Sequence, residues 1–131
     1  MTAVVARARG ALGTRFRLHG RGGDDGIDCV GLVGLAYGIA VPRGYRLRTG
    51  SVAVVAQGAE AAGLRAVADA AAGDLLVLAS GAGQLHLGID SGDGLIHADA
   101  GLGRVVERPG ATPWPVLARY RGEGATWRRS S

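Results

Sequence analysis

Residues 84–99 read QLHLGIDSGDGLIHAD, and the alternation within them decides the fold. Leu85, Leu87 and Ile89 recur at every second position, as do Ile96 and Ala98, with Ser91-Gly92-Asp93-Gly94 between the two runs. This is the pattern of an antiparallel hairpin with one face turned to a core. A loop over Ser91–Gly94 sets Asp90 opposite Leu95, Gly88 opposite His97 and His86 opposite Asp99. Both histidines then share the face away from the aliphatic residues, as diagonal neighbours with α-carbons about 7–8 Å apart. Gly88 leaves space opposite His97. A loop of odd length would send one histidine to the other face.

Around the hairpin lie further short apolar runs separated by turn residues: LRAV, GDLLVLAS, RVVERP and PVLARYR. Together they predict an antiparallel sheet of about five or six strands. Before the sheet the period is helical. Val4, Val5, Ala8, Ala11 and Leu12 make a helix of Ala3–Leu12 that Gly13 ends. Asp28 is placed to accept from the amides of the turn that follows it. Val30, Leu32, Val33, Leu35, Ala36 and Tyr37 then run as an almost wholly apolar, buried helix to Gly38. Ser51 caps a third helix to Ala62, although Val52, Val54 and Val55 also suit a strand. Helices first and strands afterwards is an α+β order. Between the first two helices, GTRFRLHGRGGDDGI has no period and predicts a long surface loop, of the kind that is usually functional or disordered. Pro42–Thr49 reads as a basic connection, and a polar tail begins at about residue 122 and includes Trp127.

The 131 residues are enough for one domain with a real core. With 47% hydrophobic and 20% charged residues the composition is globular and excludes a disordered chain. The net charge of +4, carried by 15 arginines and no lysine, favours an anionic partner such as nucleic acid or a bacterial cell wall. No nucleic-acid recognition motif accompanies it, so the arginine-rich end reads as a solvated tail. One cysteine cannot form an internal disulfide. Arg7 and Arg9 interrupt the first apolar run and no stretch reaches transmembrane length, so the expectation is synthesis in the cytoplasm without a signal peptide.

That cysteine, Cys29, opens the buried helix, where unpaired amides and the positive helix end stabilise a thiolate and could hold an oxyanion. A cysteine nucleophile needs a base, and the base needs a group that fixes its tautomer. Cys29, His86 and His97 can fill those three places. The alternatives are an inert, buried cysteine and a zinc site made by the same three residues, which lacks any short-range ligand pair. Asp99 competes with His97 as the orienting group if the register differs, and His19 reads as a loop residue.

The segments GTRFRLHGRGGDDGIDCVGL, GDLLVL, HLGIDSGDGLIHAD and GRVVE, in this order, resemble the successive motifs of the NlpC-type cell-wall peptidases over roughly Val4 to Arg121. The resemblance implies one papain-like catalytic domain over residues 1–131, with N-terminal helices on the sheet and the nucleophile at the start of a buried helix. It implies Cys29 as nucleophile, His86 as general base and then acid, and His97 as its orienting partner. It further implies a peptidoglycan stem peptide as substrate, cut at a D-glutamyl-diaminopimelate type bond, with Asp28 and Phe16 beside it and no cofactor or metal. The chain departs from the family in three places. Gly13-Thr14-Arg15-Phe16 replaces Gly-Thr-Pro-Tyr and removes a tyrosine hydroxyl, Leu18-His19-Gly20 replaces Trp-Gly-Gly, and Val30 stands where a small polar residue is common. The Asp-Cys-Val-Gly-Leu form resembles the subgroup encoded with phage-like tail modules. That implies phage-like tail proteins as partners, and delivery to the wall in a particle. The competing expectation is a non-catalytic phage-tail or cell-wall binding module that keeps the fold.

Overall fold

The computed structural model of the chain describes residues 2–41 and 51–122. Helices α1 (Thr2–Gly10), α2 (Cys29–Tyr37) and α3 (Val52–Ala61) precede six strands: β1 (Leu64–Ala66), β2 (Leu75–Gly81), β3 (Gln84–Asp90), β4 (Gly94–Asp99), β5 (Arg104–Pro109) and β6 (Val116–Gly122). The strands form one antiparallel sheet in the order β1-β6-β2-β3-β4-β5, the α+β arrangement expected from the order of the apolar patterns. The basic connection and the polar tail lie outside the described residues. Among the described residues no helix is long and apolar enough to cross a membrane.

The ambiguous segment after Ser51 is a helix. Its Ser51 hydroxyl accepts from the Ala53 amide at 3.1 Å, and Val52, Val55, Ala56 and Ala59 fall at helical spacing on the face packed against the core. A strand would have scattered them over two faces. Helix α2 begins and ends where its sequence dictates: Asp28 is the N-cap, and Gly38 adopts the left-handed conformation (φ 69°) that closes the C-terminus.

The main core lies between the helices and one face of the sheet. Val4, Ala8, Leu32, Val33 and Ala36 from the helices meet Val77, Leu85, Leu87, Ile89, Ile96 and Ala98 from the strands. On the opposite face a smaller cluster joins Leu76, Leu78 and Leu95 under Trp114.

The start of β2 is fixed by a buried charge network that the sequence pattern did not single out. Asp74 is fully buried. It accepts from Arg121 (Nε at 2.7 Å, Nη2 at 3.0 Å), from Arg119 Nη1 at 2.9 Å and from the Ala71 amide at 2.9 Å. Arg119 reaches on to Asp90 at 2.8 Å, and so ties β6 to both β2 and β3. Burial pushes the Asp74 carboxyl up, but the Arg121 and Arg119 guanidiniums and the Ala71 amide outweigh it and hold the group below its ordinary range. Beside it the Tyr37 hydroxyl donates to the Gly73 carbonyl, pinning the end of α2 to the turn that leads into β2. Asp74→Asn removes the charge that compensates two guanidiniums and should destabilise the fold by about 3 kcal/mol or more, read as a lower urea midpoint at neutral pH. Because the depressed acid stabilises the fold only while ionised, the gap between the two proteins should narrow as pH falls below the ordinary carboxylate range.

Candidate active site

The site forms where the N-terminus of α2 meets β3 and β4. Asp28 uses both oxygens: Oδ1 caps the helix by accepting from the Gly31 amide at 2.9 Å, and Oδ2 accepts from the His19 amide of the preceding segment at 2.6 Å. The Gly20 carbonyl packs so closely on the first turn that a Cβ on Gly31 would lie 2.2 Å from it, and one on Gly20 would lie 2.4 Å from the Gly26 carbonyl. This is the physical reason for glycine in Asp-Cys-Val-Gly-Leu. The segment expected as a long surface loop is therefore an ordered saddle. Arg15 and Arg17 exchange main-chain bonds with Ile27, the Phe16 amide donates to Gly103 O at 2.8 Å, and Gly13 and Thr14 pair with Val105. Asp28, expected beside the substrate, is buried and accepts from two backbone amides at the helix start that carries Cys29. Phe16 packs, half-buried, against the core cluster that contains Cys29.

The hairpin has the expected register, with Asp90 opposite Leu95 and Ile89 opposite Ile96. Its turn is tighter than expected, because the Ser91 amide donates to the Gly94 carbonyl at 2.9 Å. The remaining turn, Gly92-Asp93, has the same even parity as a four-residue loop, so the faces are unchanged. The β3–β4 ladder then ends after Ile89–Ile96. Past that point His86 Nε2 lies 2.9 Å from His97 Nδ1, with the rings nearly perpendicular. The space expected at Gly88 is filled by Leu95, whose Cδ1 would stand 2.4 Å from a Cβ there. Asp99 does not hold either imidazole. Its carboxylate accepts from the Leu102 amide at 3.0 Å in the following turn, so His97 is the partner of His86.

Cys29 is buried, and the main-chain amides of Leu87, Cys29 and Val30 act on its sulfur. It thus lies against the residue next to His86, at the stretch where β3 has parted from β4. Among the described residues no hydrogen bond joins Cys29 to either histidine, and none uses His86 Nδ1, the ring nitrogen that His97 leaves available.

The charge state differs from the expected thiolate. Burial is the largest influence on Cys29 and pushes its thiol up to about 12; the Leu87 amide opposes this, Asp28 adds to it, and the amides of Cys29 and Val30 oppose it. With the side chain 3% exposed, desolvation outweighs the helix end. Burial likewise pulls His86 down to about 4, with His97 adding to the fall and Asp99 opposing it. His97 is lowered as well, by burial first and by Arg108, against Asp99. These influences favour the thiol form of Cys29 and the neutral form of both imidazoles. Among the described residues no group of three or more His, Cys, Asp or Glu side chains is placed to hold a metal ion, so the zinc alternative has no assembled ligand set.

Sequence reasoning passed over Trp114, which packs edge-on against both histidine rings. Its signal was present in Thr112-Pro113-Trp114-Pro115, where flanking prolines stiffen the backbone around one of few aromatic residues.

No protein-family model matches the chain, and no curated protein sequence does. Solved structures do. The chain is similar to the peptidoglycan hydrolase RipB from Mycobacterium tuberculosis, with 28% identity and a TM-score of 0.60 over 92% of this chain. It spans 63% of the RipB chain. It is also similar to the NlpC/p60 domain of the peptidoglycan hydrolase SagA, with 30% identity and a TM-score of 0.57 over 82% of this chain and 87% of that one. RipD from Mycobacterium tuberculosis, a non-catalytic NlpC/p60 domain protein adapted to peptidoglycan binding, shares the fold at 22% identity, with a TM-score of 0.60 over 92% of this chain and 95% of that one.

Helix propensity alone says that Gly31→Ala should stabilise α2 by about 1 kcal/mol. The contact with Gly20 O reverses the sign, and thermal unfolding should show a loss of about 1–3 kcal/mol instead. The histidine also leaves a signature in stability. The value of His86 in the folded protein, about 4, lies below its ordinary 6.5, so the unfolded chain takes up the proton first. Its contribution is complete above about pH 6.5 and lost as pH falls toward 4. Chemical denaturation across that window should show stability declining with acid in the wild type and a shallower decline in His86→Gln.

Proposed function

Because this chain belongs to the NlpC/p60 family, we propose that it is a cysteine peptidase that hydrolyses peptidoglycan stem peptides, at a D-glutamyl-diaminopimelate type bond. The observation that carries the reading is the His86–His97 hydrogen bond of 2.9 Å beside a cysteine at the start of a capped helix. It fixes one nitrogen of His86 and leaves Nδ1 for chemistry. In the productive tautomer His86 Nε2–H donates to His97 Nδ1, so the Nδ1 lone pair can take a proton.

Substrate binding brings the scissile carbonyl to Cys29 and tightens the approach of Sγ to His86, a contact that is commonly long in the unliganded state of such sites. The thiol proton passes to Nδ1 as sulfur attacks the carbonyl carbon. The main-chain amide of Cys29 stabilises the oxyanion. His86 returns the proton to the amide nitrogen, the C–N bond breaks, and the amine leaves behind a thioester. Water then attacks with its proton going to His86, the C–S bond breaks, and the thiol is restored. Phe16 supplies an apolar wall where the family has a tyrosine. In the same reading the chain acts with phage-like tail proteins and reaches the wall in a particle, a context that the Asp-Cys-Val-Gly-Leu form supports.

A second reading is a wall-binding module without turnover, favoured by the protonated resting thiol and the missing tyrosine hydroxyl. Mass spectrometry of muropeptides released from purified peptidoglycan separates the two. The wild type should release peptides whose new ends identify the bond, and Cys29→Ala should release none while keeping its fold. His86→Ala should lose nearly as much, and His97→Ala less, because orientation is a smaller effect than the nucleophile or base. Wild-type protein that cosediments with peptidoglycan but releases nothing establishes the binding module. Full activity in Cys29→Ala overturns the mechanism.

A further inference from the structure

On the face of the sheet away from the helices, His86 stands opposite Leu78 of β2 and against His97 of β4. Trp114 lies against both rings, with centroids 5.2 Å from His86 and 5.5 Å from His97 and steep interplanar angles of 74° and 87°. It also packs against the cluster of Leu76, Leu78 and Leu95. Its backbone is held twice by Thr112, whose hydroxyl accepts from the Trp114 amide at 3.1 Å and donates to the Trp114 carbonyl. The neighbouring Pro115 carbonyl accepts from Ala79 at 3.0 Å, next to the register shift between β2 and β6. An irregular segment held by these bonds thus presents one indole edge-on to two imidazoles.

We propose that Trp114 is a positioning residue for the histidine pair: its indole excludes water from both rings and holds His86 with Nε2 on His97, keeping Nδ1 available to exchange a proton with Cys29. The inference rests on the reading of His86 as the base. It extends that reading by assigning part of the neutrality and orientation of the base to a side chain that acts through the two imidazoles. The charged and titratable groups around the pair are few. His97 and Asp99 of β4 act on His86, and Asp99 and Arg108 of β5 act on His97. Strand β2 sets Leu78 opposite His86. Asp99 favours the imidazolium form; burial, with His97 acting on His86 and Arg108 on His97, outweighs it, and the edge-on contacts of Trp114 with both rings contribute to that burial.

Histidine side-chain NMR across pH tests the assignment on the full chain without substrate. In Trp114→Ala the His86 midpoint should rise by about 1–2 pH units toward the ordinary imidazole range, because water regains the ring. In Trp114→Phe, which keeps an aromatic edge over both rings, it should stay within about 0.3 units. The acid limb of kcat/KM on peptidoglycan fragments should move with it in Trp114→Ala and not in Trp114→Phe. If Trp114→Ala does not fold, Trp114→Leu carries the comparison, with a smaller rise in the same direction. An unmoved His86 midpoint in a folded Ala or Leu variant overturns the proposal. Absence of turnover in the wild type would defeat the peptidase reading alone, since the titration is read without it.

Discussion

Strands β3 and β4 share two register pairs before they part, and the arrangement of the site depends on that parting. A ladder continued to His86 and Asp99 would have engaged the main-chain groups of β3 along its whole length. With the ladder open, the Leu87 amide is available to the Cys29 sulfur, and the imidazoles of His86 and His97 bridge the two strands through side chains instead. The helix start is held at this position by the Asp28 cap and by the Gly20 carbonyl packed on Gly31. Cap, saddle and open ladder therefore act together on the position of the cysteine.

The same packing sets the chemistry of the resting state. Helix-end amides favour a thiolate, but Cys29 is too deeply buried for them to prevail, and the histidines are neutral for the same reason. In the mechanism proposed above, the charge separation that many cysteine hydrolases hold in advance develops only as the carbonyl is attacked. That places weight on the orientation of His86, and so on His97 and Trp114, which confine the ring from two sides.

Much of this was legible in the sequence where one local rule decided. The even loop parity placed both histidines on one face, and that survived a turn two residues tighter than expected. Asp28 and Gly38 marked both ends of α2, and spacing of 3, 4 and 7 residues made α3 a helix despite its valines. What escaped was set by residues distant in the chain. Nothing local says that β4 leaves β3 after Ile96, that Trp114 covers His86, or that Arg119 and Arg121 converge on Asp74, although their placement at alternate positions of β6 puts them on one face. The thiol was misjudged because the helix end can be read from sequence, whereas the depth of burial that opposes it is a property of the packed fold.

The NlpC/p60 relationship gives the fold a setting, and RipD shows that this setting includes a protein without turnover. The central claim is that Cys29 itself becomes acylated. Intact-protein mass spectrometry after rapid acid quenching of the wild type with a stem-peptide substrate tests it directly. The account predicts a transient adduct equal to the acyl half of the substrate, mapped by digestion to the peptide containing Cys29. Hydrolysis that proceeds with no adduct, or with one on another residue, would contradict it.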